Sequence, residues 1–252
     1  QKSGLIKLPN TCSLRELCSD VHDQSSLGSC CGQAGVATAE SAQIKEFGKY
    51  VPLSPLFLYK VTRRLMGLAG DTGASLRDTM KALVLFGAPP EDAWKYIIQN
   101  FDVAPDWYAC GFAKEFQSLK YYRHDANGVK PDDVVASICA NIVAGYTSMM
   151  GFSVYRSINQ ANRTGEIPFP SPGELVQGGH AVQVIGFDLK KEIVNTISKK
   201  KTVGAFEIKN SWSKNWARGG FGYIPIQYVL DSLARDWWSI LNQEWVNFGQ
   251  FA

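Results

Sequence analysis

The chain has 252 residues, 45% hydrophobic and 19% charged, the make-up of an ordinary globular protein with one large domain or two small lobes. A formal net charge of +3 with scattered Lys and Arg argues against nucleic-acid and membrane-surface partners, and no apolar run approaches the roughly 18 residues that span a bilayer. The cysteines at 12, 18, 30, 31, 110 and 139 form no CxxC pair and no His/Cys cluster with ligand spacing, so no metal and no other cofactor is expected.

Residues 1 to 22 carry Pro9, Asn10 and Ser13 without a long period and read as an extended lead-in. From Ser29, the run Cys31, Ala34, Val36, Ala37, Ala39, Ala42 and Ile44 is nearly free of charge until Glu40 and predicts a buried central helix. Ser54-Pro55 starts a second helix, with a capping hydroxyl and Pro in the first turn, and Ser75 to Phe86 predicts a third, closed by Gly87. The pattern changes at residues 102–106, where the lobe boundary is set. A helix from Pro131 to Ala144 opens on two aspartates and ends at Gly145. Strand-like runs follow at Thr147–Tyr155, Ala181–Phe187, Gly204–Lys209 and Phe221–Ile226. Lys199-Lys200-Lys201 reads as a solvated hairpin tip, and the tryptophans at 237, 238 and 245 suggest a C-terminal segment packed back onto the body. The expectation is one α+β domain, with a helical lobe over about 15–103, a β-rich lobe over about 104–228 and a terminal segment over 229–252.

Chemistry concentrates in four blocks. Gln24 precedes Gly28-Ser29-Cys30, where a cysteine stands at a helix start; a thiol there, facing an imidazole, is far more reactive than a free one. Much later come Gly179-His180-Ala181-Val182, then Asn210-Ser211-Trp212, then Gly220-Phe221-Gly222-Tyr223-Ile224. Gln, Cys, His and Asn in this order are what an acyl-transferring thiol enzyme needs, and their separation means that they meet across a fold.

In these blocks the chain resembles the papain-like cysteine peptidases, from about Leu14 to about Tyr228. It is most similar to their microbial branch, where Leu53 to Tyr59 and Asp71 to Asp78 follow the nucleophile helix and Thr164 to Pro168 precede the histidine. The resemblance implies a two-lobe fold, one lobe helical and the other β-barrel-like, with the cleft between them. It implies Cys30 as nucleophile, His180 as general acid/base, Asn210 as the residue orienting the ring, Trp212 as its cover, and Gln24 with the Cys30 N–H as oxyanion donors. Gly73 and Ala74 would pair with the substrate main chain, and Gly179 would let the backbone approach the cleft. A polypeptide substrate, a removed N-terminal propeptide or a protein inhibitor, and a monomeric state complete the expectation. The chain begins at Gln1 and not at Met, so a cleaved leader and secretion are expected, with residues 1 to about 10 as a propeptide remnant.

Several positions depart from the family pattern. Leu27 stands where many relatives carry a disulfide cysteine, so that bridge is absent; Cys12 and Cys18 remain as a possible short bridge, and the pairing of Cys110 and Cys139 stays open. Cys31 follows the nucleophile where many relatives have Trp. Adjacent helical side chains point about 100° apart, so Cys31 should pack and not act as a redox partner. Ser213 and Ala217 replace common glycines, and His22 and His124 have no motif context. Two other readings share these residues: an acyl transferase or amidase acting on isopeptide or cell-wall amides, and an inactive binding module of the same fold.

Overall fold

The uncharged run after Ser29 forms a single long helix, α1 (Cys30–Phe47), buried along most of its length and closed by Gly48 in the left-handed region at φ 71°. The computed structural model describes residues 8–243; most of the expected propeptide remnant, and Trp245, lie outside them. Helix α2 (Pro55–Leu65) is capped by Ser54, whose hydroxyl accepts the Phe57 N–H at 3.1 Å, and α3 (Leu76–Leu85) by Ser75, which accepts the Asp78 N–H at 3.0 Å. Gly32 permits the α1–α2 approach, because a Cβ there would sit 2.8 Å from the Pro55 carbonyl oxygen. Helix α4 (Trp107–Ala113), which the pattern did not predict, is capped by Asp106, and α5 (Pro131–Val143) begins on Pro131 as expected.

Among the described residues, seven antiparallel strands make the sheet: β1 (Thr11–Ser13), β2 (Ser118–Arg123), β3 (Ser148–Tyr155), β4 (Val176–Val194), β5 (Lys201–Lys209), β6 (Phe221–Pro225) and β7 (Ala234–Gln243). Two short helices, α6 (Ala161–Thr164) and α7 (Gln227–Leu230), lie between strands. The order is β2-β7-β3-β4-β5-β6, with β1 on β4, so the barrel-like expectation resolves into an open sheet. β4 is long enough to serve three neighbours. Its first half pairs with β3, and its second half with β5 on one edge and, over residues 186–188, with β1 on the other.

The strand alternation divides the interior into two cores. Met149, Ala181, Trp238 and Ile240 face the helical core with Leu58, Met80 and Leu83, whereas Met150, Val182 and Trp237 face the β-side core with Ile138, Phe206 and Ile208. The central strands are therefore buried on both faces, one toward each core. Within the C-terminal segment expected to pack back onto the body, residues 234–243 form β7, set between β2 and β3. Burying large apolar side chains such as Trp237 and Trp238 contributes about 1.5–3 kcal/mol each.

All six cysteines are free, which removes the suggested Cys12–Cys18 bridge; the Cys18 thiol instead donates to the Leu14 carbonyl at 3.6 Å. His22 lies 3.5 Å from the buried Glu40 carboxylate. His124 is buried between the Ser137 and Ser239 hydroxyls, each at 2.9 Å, and joins β2 to α5 and β7. Burial lowers its pKa to about 4. The unfolded chain binds that proton from about pH 6.5 downward while the folded chain does not, so stability is present above pH 6.5 and is lost as the pH falls toward 4. Thermal melts over this window should fall less steeply for His124→Gln than for wild type, by roughly 1–3 kcal/mol. Parallel pH slopes would show that His124 carries no such linkage.

Candidate active site

α1 begins at Cys30 itself, so the thiol stands in the field of the first-turn N–H groups. The preceding Ser29 does not cap the helix; its hydroxyl lies 2.6 Å from the Tyr96 Oη, which in turn donates to the Gln24 carbonyl at 2.9 Å. Gln24 is buried, and its side-chain oxygen accepts the Ser211 hydroxyl at 2.7 Å while Nε2 donates to the Leu27 carbonyl at 2.9 Å. An amide nitrogen carries two hydrogens, so one remains for the cleft that Gln24 lines.

His180 comes from β4, opposite Phe152 of β3, whose ring meets the imidazole edge-on at 5.7 Å. Asn210 directly follows β5, and its Oδ1 lies 2.8 Å from His180 Nε2, which leaves Nδ1 for the thiol. The same oxygen accepts the Ser211 N–H at 2.8 Å and so is fixed from two sides. Trp212 stacks on the imidazole that bonds Asn210, at 4.6 Å and 27°. It also packs against the β-side core, so its covering and core roles are the same contact.

The Cys30 thiol titrates well below the ordinary thiol range. Contact with the Cys31 thiol comes first, followed by the hydrogen bond and charge of His180 and the Ala181 N–H; together they outweigh burial, which acts the other way. Cys31 is held well above that range by Cys30 and by burial, and its thiol donates to the Ala74 carbonyl at 2.9 Å. It is a packing residue of the helical core.

A cleft of about 750 Å³ runs past these groups, lined among others by Gly73, Ala74, Leu76, Phe152 and Gly179. A Cβ at Gly179 would meet nothing within 4 Å, so the backbone there borders open cleft. Gly73 adopts φ 72° and its N–H already donates to the Tyr59 hydroxyl at 3.1 Å; the Ala74 carbonyl is engaged by Cys31. Ser213 and Ala217, standing where relatives carry glycine, keep the left-handed backbone at φ 67° and 51°. Holding a residue with a Cβ in that region costs on the order of 1 kcal/mol.

The structure brings together Gln24, Cys30, His180, Asn210 and Trp212 as the motif order suggested. Sequence reasoning missed Tyr96, Phe152 and Ser211. Tyr96 lies in a loop without a motif, and only its position beside Gln24 and Ser29 reveals it; Ser211 was legible inside the Asn-Ser-Trp block but had no role there.

A family model described as papain family cysteine protease matches residues 8–231. The chain belongs to the papain family of cysteine proteases. An uncharacterized peptidase C1-like protein of Acanthamoeba polyphaga mimivirus is 32% identical over 244 residues, covering 94% of this chain and 74% of that one. Xylellain, a cysteine protease of Xylella fastidiosa, superposes with a TM-score of 0.78 at 26% identity, over 98% of this chain and 90% of that one. Bromelain of Ananas comosus shares the fold at a TM-score of 0.64 and 17% identity, covering 93% and 100% of the two chains. The proform of a ragweed pollen cysteine protease does so at 0.71 and 18%, covering 95% and 69%. A papain-like cysteine peptidase acting on polypeptides follows from the family, and the helices with an antiparallel sheet are its fold.

Proposed function

We propose that this papain-family peptidase hydrolyses peptide bonds through a thioester on Cys30. The Cys30 thiolate attacks the scissile carbonyl carbon; the carbonyl electrons move to oxygen, where the Cys30 N–H and the free Gln24 amide hydrogen stabilise the charge. The C–N bond then breaks as His180 delivers its proton to the leaving amine. Water, giving a proton to His180, attacks the thioester, and the C–S bond breaks to release acid and thiolate. Asn210 orients the imidazole and Trp212 keeps water from that bond.

The reading is carried by one observation, the 2.8 Å His180–Asn210 bond covered by Trp212 beside a thiol of lowered pKa. Synthesis as a precursor with an N-terminal propeptide, and secretion, belong to the same proposal; the ragweed relative was captured as a proform. Turnover of a fluorogenic peptide library, with and without an added primary amine, tests it. Hydrolysis products are expected in both arms. Amine adducts as the main product would favour acyl transfer, and no turnover of any peptide would favour a binding module.

A further inference from the structure

The loop from Gln24 to Cys30 must hold both oxyanion donors in register, yet it contains no disulfide anchor, since Leu27 occupies that position and every cysteine is free. It is a tight turn in which Ser25 adopts φ 51°. Another tie crosses to it. The Asp71 carboxylate accepts the Gly28 N–H through both oxygens, at 3.0 and 3.1 Å, two residues before the thiol. Asp71 Oδ1 also accepts the Tyr59 hydroxyl at 2.5 Å, and that hydroxyl accepts the Gly73 N–H at 3.1 Å. One carboxylate therefore links the loop bearing the nucleophile to the loop that borders the cleft at Gly73 and Ala74, with α2 behind both. Gly28 suits this contact, because a Cβ there would lie 3.1 Å from Asp71 Oδ1.

We propose that Asp71 is a positioning residue, a non-covalent strap that sets the Cys30 N–H and Gln24 for the oxyanion and, through Tyr59, sets the substrate-bordering loop. Its hydrogen bonds go to the Gly28 N–H and the Tyr59 hydroxyl. Its loss should therefore impair the transition state of peptide cleavage while sparing the thiolate itself. Tyr59 supports this division: burial and Asp71 push its pKa up, so it stays a phenol that donates to Asp71 and accepts from Gly73. Asp71 is exposed, so solvent competes for its bonds and the expected loss is moderate.

The proposal rests on the peptidase reading and is tested with the purified chain, a fluorogenic peptide extended on the acyl side, and iodoacetamide as a probe that needs the thiolate but no oxyanion hole. Asp71→Ala is expected to lower kcat about tenfold while alkylation of Cys30 stays within about twofold of wild type. Asp71→Asn retains an acceptor for Gly28 and Tyr59 and should recover kcat to within about threefold. Tyr59→Phe, which removes the hydroxyl's bonds to Asp71 and Gly73 but leaves Asp71 on the Gly28 N–H, should raise KM several-fold at nearly constant kcat. Three results would each overturn the strap: Asn as damaging as Ala, which would assign the effect to charge; alkylation lost in step with kcat in the near-isosteric Asp71→Asn; or wild-type kcat in Asp71→Ala. Absence of turnover in the wild-type protein would instead overturn the peptidase reading.

Discussion

Cys30→Ala abolishes peptide turnover, a loss of at least about 10⁴-fold in kcat, because the other thiol lining the cleft, Cys31, is buried, engaged by the Ala74 carbonyl and held well above the ordinary thiol range. The companion measurement is selective alkylation. At pH 6 with limiting iodoacetamide, Cys30 should be modified first even though Cys110 is the more exposed thiol. Burial and Asp106 raise the pKa of Cys110, burial and Glu16 raise that of Cys12, and burial pushes Cys18 and Cys139 up to about 12. Only Cys30 is lowered, so Cys30 carries the largest thiolate fraction of these thiols. Peptide mapping reads the result directly. Prior labelling of Cys110 or Cys31 would remove the nucleophile assignment, as would turnover that persists without the Cys30 sulfur.

His180→Ala is expected to reduce kcat/KM by a comparable factor, about 10⁴ or more, since it removes both the proton carrier and part of the thiolate stabilisation. The wild-type pH profile should be a bell whose limbs belong to the Cys30–His180 pair. As pH falls, the thiolate takes up a proton and activity is lost; because the Cys30 pKa is depressed, this acid limb lies well below the ordinary thiol range near 9. As pH rises, the pair loses its remaining proton, no acid is left for the leaving amine, and activity falls again. In His180→Ala, the iodoacetamide rate of Cys30 should shift its acid limb upward, since the imidazole's contribution to the lowered thiol pKa is gone. Asn210→Ala should mainly lower the height of the bell, by about 10–10²-fold, and move the limbs little, since Asn210 orients the ring without titrating. An Asn210→Ala profile of full height with displaced limbs would give Asn210 an electrostatic role in place of an orienting one.

The legible and illegible parts of the fold divide by range. α1, α2, α3 and α5 carried their own signals, an apolar run or a cap such as Ser54, Ser75 or Pro131, within a few residues. β3, β5 and β6 were punctuated by Gly151, Gly204 and Gly222 and rich in β-branched or aromatic residues. β4 was read as Ala181–Phe187 but spans Val176–Val194, because its glycine-rich start becomes a strand only when β3 pairs with it over residues 176–184. β7 has strand-forming residues, yet its partners β2 and β3 lie far back in the chain, and pairing partners leave no local mark.

By itself the sequence determined the chemistry on offer, because Gln24, Cys30, His180 and Asn210 each sit in a short block of distinctive neighbours and a reactive group depends first on its residue type. It also determined where the nucleophile helix begins, since charge-free apolar spacing after Gly28-Ser29 is a local property. Only the tertiary structure decided that the lobes share one open sheet with a core on each face, and that the six cysteines form no disulfide. It also decided that Tyr96 and Asp71 hold the Gln24–Cys30 loop. Those contacts join residues more than forty positions apart, and such a pair is created by the packing of α2, α3 and the central strands, not by any preference that either residue carries alone.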